Sequence, residues 1–347
     1  MINLNFLLLI FLIFLIIITL KINYFSKKIS IYDLPDNKRK LHRNKTPIIG
    51  WIYPFFALIF LSLISFFDKE NYIFTKEIFI IYDQPNLRSY FSFFVGCLCI
   101  FFIGIFDDKK NISASNKIIF LITILYLLIS FDKDLIITEF YLELFDKLVV
   151  LENFSLPFSI ICIFFLINSL NLFDGINLQS SMFFIFFYFV MISKGISSEI
   201  LVFFLISNIF FAIKNYKGEI FYGDSGVYIN SYVLSYFLIK SHNLNSILSP
   251  ELIFLVLFLP SIDLLRLFMV RIIQFKNPLD GDRTHIHHIL LNQFNQNIYK
   301  ANFVLILMFV LPYIFYDVMN TNFYLSFLIS FIIYFLFIIN FYRRRSK

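Results

Sequence analysis

The chain has 347 residues, 59% of them hydrophobic and 21% aromatic, with only 15% charged, a mean hydropathy of +0.80 and a formal net charge of +6. A soluble domain carries about 25% charged residues, so these charges are too few to cover a globule of this size, and a soluble protein is excluded. The cysteines Cys97, Cys99 and Cys162 lie inside apolar runs without metal-ligand spacing to histidine, which argues against a disulfide framework or a zinc site.

A helix needs about 20 mostly apolar residues to cross a bilayer, and only helices or closed barrels satisfy their backbone inside lipid. Long, unalternating apolar runs predict eleven spanning helices, over 4–22, 47–67, 90–106, 117–131, 154–170, 181–193, 199–213, 226–240, 251–272, 301–316 and 323–341. The first lacks a positive n-region and a small-residue cleavage site, and Lys21, Lys27 and Lys28 follow it, so it reads as an anchor with its amino terminus outside. Residues 135–151 are apolar too, but Glu139, Glu143, Asp146 and Lys147 would each cost about 2.5–3.5 kcal/mol near a helix centre. That stretch is expected to form an outside hairpin or interfacial segment.

Eleven crossings place 22–46, 107–116, 171–180, 214–225, 273–300 and the tail 342–347 on one side. With the bordering Lys21 and Lys117, and with Asp263, Arg266 and Arg271 assigned there, that side holds 22 of the 29 basic residues and 10 of the 23 acids. It nets +12 against −6 opposite, and basic loops stay in the cytoplasm. The positive charge is therefore a sidedness signal and requires no nucleic-acid partner. The fold class expected is an all-α polytopic integral membrane protein of about eleven transmembrane helices, carboxyl terminus cytoplasmic, forming one transmembrane domain over 1–347 without internal repeats.

Acids at membrane depth are costly unless paired, wet or bound to a cation. Asp107 and Asp108 end the third span, Asp174 ends the fifth, Asp224 precedes the eighth and Asp263 lies in the ninth, all on the inner side. A lone aspartate there reads as a helix cap. Together they suit a divalent ion holding a diphosphate, since magnesium takes one or two carboxylates plus phosphate oxygens. Adjacent acids also oppose each other's ionisation, so one of Asp107 and Asp108 is a candidate base. Arg283, His285, His287 and His288 form a basic patch able to hold phosphates, while 33–46, with Lys40 and His42, is either an anion clamp or a positive flank.

In order, these segments resemble the polyprenyl-phosphate N-acetylhexosamine-1-phosphate transferases, the membrane family with WecA-, TagO- and MraY-type enzymes. Asp33, Pro35, Arg39, Lys40, His42, Thr46, Pro47 and Gly50 resemble its opening D-x-P…R-K-x-H…T-P-x-x-G-G. Gly104, Asp107, Asp108 and Lys117 are similar to G-x-x-D-D…K, and Asn168, Asn171, Asp174 and Gly175 to N-x-x-N-x-x-D-G. Phe221, Gly223, Asp224 and Gly226 match F-x-G-D-x-G. Pro260, Asp263, Arg271, Asp282, Arg283, His285, His287 and His288 match P-x-x-D…R…D-R-x-H-x-H-H, a form closer to the WecA branch. Two departures stand out: Trp51 replaces the second glycine of G-G, and Asn177 and Leu178 replace the second Asp and Gly of D-G-x-D-G.

The resemblance implies transfer of a HexNAc 1-phosphate from a UDP-sugar to polyprenyl (undecaprenyl) phosphate, releasing UMP, with Mg²⁺ (Mn²⁺ as the alternative metal). It places the active site on the cytoplasmic face of a bacterial inner membrane, where such a product begins a cell-envelope glycan such as O-antigen or teichoic acid. Asp224 would be the leading metal ligand, and Asp107 and Asp108 would activate or position the lipid phosphate. Asn168, Asn171, Asp174 and Asn177 would line the nucleotide pocket, Asp174 also counting among the catalytic acids. Arg283, His285, His287 and His288 would flank the diphosphate, and Lys40 and His42 would steer or hold the nucleotide. Asn177 still offers uracil's imide edge one donor and one acceptor. A secondary transporter coupling ions through intramembrane acids is the alternative, although such acids usually sit near the midplane of repeated halves. A CDP-alcohol lipid synthase is disfavoured, because the D-G…A-R signature is missing after Gly175.

Overall fold

The computed structural model describes residues 4–35, 44–67, 80, 81, 84, 85, 87–196, 198–245, 248–276 and 284–345. The helices are α1 (Leu4–Leu20), α2 (Ile22–Ile29), α3 (Ile52–Phe67), α4 (Leu87–Lys110), α5 (Ala114–Phe131), α6 (Ser155–Phe173), α7 (Gln179–Ser193), α8 (Ser198–Tyr216), α9 (Gly223–Asn245), α10 (Pro250–Ile273), α11 (Ile286–Gln293), α12 (Ile298–Tyr313, continued by a π turn to Val318) and α13 (Phe323–Arg345). Three short antiparallel pairs join them: β1 (Tyr32–Asp33) with β2 (Thr46–Pro47), β3 (Ile80–Ile81) with β4 (Gln84–Pro85), and β5 (Glu139–Leu142) with β6 (Lys147–Val150).

The protein is an all-α polytopic membrane protein. A helix covers each of the eleven apolar stretches, and among the described residues seven (α4, α5, α6, α8, α10, α12 and α13) are long and apolar enough to cross a bilayer alone. The pair α1 and α2, bent by 64°, makes an eighth if taken as one span, while α3 and α7 are apolar but shorter. Outward faces carry exposed Phe102, Leu127, Phe165, Phe189 and Leu336, as a lipid-facing surface requires. The expected segment at 135–151 is a hairpin, β5 pairing with β6 from Glu139↔Val150 to Leu142↔Lys147.

Two helices lie where connections were expected. Ile22–Ile29 turns off α1 as an amphipathic helix ending in Lys27 and Lys28, and Ile286–Gln293 forms α11. Both are too short to stand out against the charges around them. The ends of α4 and α9 also extend beyond the apolar runs, α4 through Asp107 and Asp108 and α9 back to Gly223.

Helix α9 is the centre of the fold. It packs against α3, α4, α6 and α7 and is buried from Ser225 to Ser241. That position explains its polarity: Asn230, Ser231, Ser235 and Lys240 lie inside protein rather than lipid. Tyr232 and Tyr236 donate to the α4 carbonyls of Ser92 and Ser89 at 2.9 and 2.7 Å. Near the end of α9, the fully buried Lys240 ammonium meets Asp132 at 2.9 Å, Asp134 at 3.0 Å and Ser89 Oγ at 2.6 Å. Ser92 donates to the other oxygen of Asp132 at 2.5 Å.

Removing one partner of a buried ion pair strands the other, at a cost of about 3–5 kcal/mol. Lys240→Met is therefore expected to lower the thermal unfolding midpoint of detergent-solubilised protein. Pairing it with Asp132→Asn should recover part of the loss, and unfolding followed by tryptophan or dye fluorescence compares the three proteins.

Candidate active site

The last turn of α4 presents its two aspartates in different directions. Asp108 turns to α9: its Oδ1 accepts from the Asp224 amide at 2.8 Å, and its Oδ2 from the Ser225 amide at 3.2 Å and hydroxyl at 2.6 Å. This carboxylate satisfies amides that the start of any helix leaves unpaired, where the helix dipole also favours a negative charge. Gly223 makes the contact feasible, with φ of +68° and no Cβ to strike the carboxylate or Ile48.

Asp107 turns to α5. Its Oδ1 accepts from the Ile112 amide at 2.8 Å, and its Oδ2 lies 2.5 Å from Lys117 Nζ. The same ammonium reaches Asp224 Oδ2 at 2.7 Å. Two carboxylates from α4 and α9 thus converge on one cationic point. Lys117 belongs to the motif, yet its spacing alone assigned it no task.

The segment 46–50 braces this end of the molecule. Phe221 donates its amide to Pro47 O at 3.0 Å, Gly50 donates to Phe221 O at 2.8 Å, and Ile48 and Phe221 form a parallel bridge. The T-P-x-x-G and F-x-G-D segments are thereby locked together. Lys40, His42 and Arg283 lie outside the described residues.

Asp174 closes the end of α6 and accepts from the Ser180 hydroxyl. Burial pushes its carboxyl up to about 6; the Ser180 bond opposes this and the charge of Asp108 adds to it. Asn168 donates to Phe164 O at 2.8 Å within α6, and Asn171, three residues on, is half-buried. Past Gly175, Leu178 takes a left-handed conformation (φ +72°), a strain of about 1–2 kcal/mol for a residue with a Cβ. Its amide donates to Asn215 Oδ1 at 2.6 Å, and the Asn177 carbonyl accepts from Asn302 Nδ2 at 2.7 Å.

The histidines reach the same place through α11. A Cβ on Gly175 would collide with the His287 ring, so that ring lies directly on the D-G turn. His285 and His287 stack with centroids 5.4 Å apart, and His288 lies 4.3 Å from His287. Burial, reinforced by His288 and His285, holds the His287 pKa well below the usual imidazole value, so this ring is neutral. His285 Nδ1 donates to Asp263 Oδ2 at 2.9 Å. Asp263 further accepts from Arg266 at 2.8 Å, Tyr334 at 2.9 Å and the Ile286 amide at 3.2 Å, which seats α11 on α10 and α13. The Gln179 carboxamide, His287 Nδ1 and Arg266 Nη1 are buried without a hydrogen-bond partner among the described residues.

The glycosyl transferase family 4 model matches residues 90–242, from α4 through α9. A Bacillus subtilis (strain 168) protein described as a probable undecaprenyl-phosphate N-acetylglucosaminyl 1-phosphate transferase is 26% identical over 293 residues, 80% of this chain and 74% of its own length. A Salmonella typhi undecaprenyl-phosphate alpha-N-acetylglucosaminyl 1-phosphate transferase is 22% identical over 285 residues, covering 76% and 70%. Over residues 90–242 the chain is thus similar to glycosyl transferase family 4, and it is distantly homologous to undecaprenyl-phosphate N-acetylglucosaminyl 1-phosphate transferases.

The matched region contains Asp107, Asp108, Asp174 and Asp224, whereas α11 follows it. Gln179, Asn215, Ser225, Arg266 and Asn302 carry no motif signal. Only the three-dimensional contacts expose them.

Because its carboxyl is raised, the folded protein binds a proton at Asp174 more tightly than the unfolded chain does. This favours folding below the ordinary value of 3.8 and fades as pH rises through about 6. Asp174→Asn is expected to gain in melting temperature relative to the parent as pH is raised from 4 to 7. Melting curves across that range would show a constant difference if Asp174 were not buried in this way.

Proposed function

We propose that this protein is a family 4 enzyme that transfers a sugar 1-phosphate, of the N-acetylhexosamine class, from a UDP-sugar to polyprenyl phosphate and releases UMP. In this reading the chain crosses a bacterial inner membrane eleven times, amino terminus outside, with the site on the cytoplasmic face. The observation that carries it is the convergence of Asp107, Asp224 and Lys117 at one end of the bundle, with Asp174 and the histidines gathered around the neighbouring turn at Gly175.

An apolar groove of about 470 Å³ between α6, α9 and α10 supports the lipid acceptor. Its lining includes Phe165, Leu166 and Ser169 towards Asp174, and Leu264 and Leu265 beside Asp263. An isoprenoid chain there stays in apolar surroundings while its phosphate reaches the polar helix ends. The two named relatives, whose names specify undecaprenyl phosphate and N-acetylglucosamine 1-phosphate, support the substrate pair.

The donor set fits Mg²⁺, or Mn²⁺ in its place. Asp224, together with Asp107, would hold the ion, and diphosphate oxygens and water would complete its shell. Bound there, the metal supplies positive charge to the diphosphate. Among the described residues no group of three or more His, Cys, Asp or Glu is assembled.

In the reaction an oxygen of the lipid phosphate attacks the sugar-bound phosphorus of the UDP-sugar, and the bond from that phosphorus to the bridging oxygen breaks to free UMP. Bringing these anions together needs fixed positive charge and donors. Lys117 contributes the charge. Asp174, titrating near 6, takes the proton of a monoprotonated lipid phosphate. Asp108 acts through the backbone, fixing the start of α9 and hence Asp224. His285, His287 and His288 flank the diphosphate with Arg283, and the buried unpartnered atoms of Gln179 and His287 are suited to polar groups of the nucleotide sugar.

Membranes containing the protein, given UDP-HexNAc donors, undecaprenyl phosphate and Mg²⁺, are expected to release UMP in step with a lipid-linked sugar. Asp224→Asn should cost about 100-fold or more in rate, the scale of losing one electrostatic contact to a transferring group, and leave membrane insertion intact. Well-folded protein that releases no UMP from any UDP-sugar would refute the proposal.

A further inference from the structure

The carbonyl of Asn177 and the amide of Leu178 belong to one peptide group, and two asparagines from distant helices grip it from opposite sides. Asn302, on α12, donates to the carbonyl at 2.7 Å. Asn215, on α8, accepts from the amide at 2.6 Å and donates its own Nδ2 to Ile220 O at 2.9 Å. Both asparagines are buried, at 6% and 5% exposure, so water does not compete for these bonds.

A peptide group held at both ends cannot flip. Its orientation sets φ of the following residue, and here it selects +72° at Leu178, a conformation glycine adopts freely and leucine does not. The family pattern has glycine at this position. The chain thus keeps a left-handed turn with a residue that resists it, and Asn215 and Asn302 supply the missing restraint. The turn leads directly into Gln179 and Ser180, the latter bonded to Asp174, and Asn215 also ties it to the strip 218–221 ahead of Asp224.

We propose that Asn215 and Asn302 are positioning residues that hold the Asn177–Leu178 peptide in the form that accepts the nucleotide of the donor. This rests on the reading of the loop after α6 as the nucleotide pocket. They act through the backbone of the turn and touch no reacting atom.

The test uses full-length protein in membranes, with initial rates measured against UDP-sugar and, separately, against undecaprenyl phosphate. Asn215→Ala and Asn302→Ala are expected to raise KM for the UDP-sugar about 10-fold, the scale of one buried hydrogen bond, with kcat and the lipid KM changed less than about 3-fold. Adding Leu178→Gly to Asn215→Ala should bring the UDP-sugar KM back towards the parent value, because glycine needs no clamp. Unchanged KM in both single variants, or a parallel loss of kcat, both KM values and thermal stability that Leu178→Gly does not relieve, would overturn the inference while parental turnover kept the reaction itself standing. A parent enzyme that turns over no UDP-sugar would remove both together.

Discussion

Everything in this structure depends on keeping a polar helix in a lipid-shielded centre. Helix α9 carries a lysine, tyrosines, serines and an asparagine that lipid would penalise, so its neighbours must surround it completely. Charge secures it near both ends. At one, Asp108 binds the amides of Asp224 and Ser225; at the other, Lys240 binds Asp132 and Asp134. Helix α4 takes part at both ends, through Asp108 and through Ser89 and Ser92. With its ends fixed against α4, α9 has no freedom to slide, and the position of Asp224 follows from the packing of the whole bundle.

The site inherits its rigidity from that arrangement. Its side chains come from helix ends and first or last turns, where backbone groups are otherwise unpaired. Contacts join segments that the charge count assigns to the same side: 107–117 to 224–225, 175 to 287, and 263–266 to 284–286. The second set of connections behaves alike, with Asn243 on Asp134 O, Tyr316 on Glu143 and Lys194 on Asp317. The Lys240 cluster with Asp132 and Asp134 and the Lys117 cluster with Asp107 and Asp224 thus occupy opposite ends of α9.

Apolar run length sufficed to locate a helix at every expected stretch, because lipid leaves an uncharged 20-residue segment few alternatives. Acids are scarce here and stand out, and the structure brings three of the singled-out aspartates, Asp107, Asp108 and Asp224, together. What remained hidden depended on neighbours. Ile22–Ile29 and Ile286–Gln293 are single short helices whose stability comes from docking, the latter through Asp263 and His285. Asn215 and Asn302 look like incidental polar residues in apolar helices until the turn they hold is seen. Leu178 gives no sign of a positive φ, because leucine is the wrong residue for one.

The clustered acids also divide in a way that spacing does not reveal. Asp107 and Asp108 are adjacent, yet successive residues on a helix point about 100° apart, so they serve different partners and do not form a simple like-charge pair. Asp108 has both oxygens engaged by the start of α9. Asp263 has both engaged by Arg266, Tyr334, His285 and the Ile286 amide. These two carboxylates satisfy backbone and cationic groups that would otherwise be buried unpaired, and thereby they place Asp224 and α11. Asp107, Asp174 and Asp224 are held less completely, by lysine or serine side chains and a single amide. An ammonium shared by two carboxylates can change partners without leaving a buried backbone amide unsatisfied, whereas releasing Asp108 or Asp263 would undo the ends of two helices. The proposed chemistry therefore falls to the three acids whose contacts can be exchanged, and the other two build the frame that holds them.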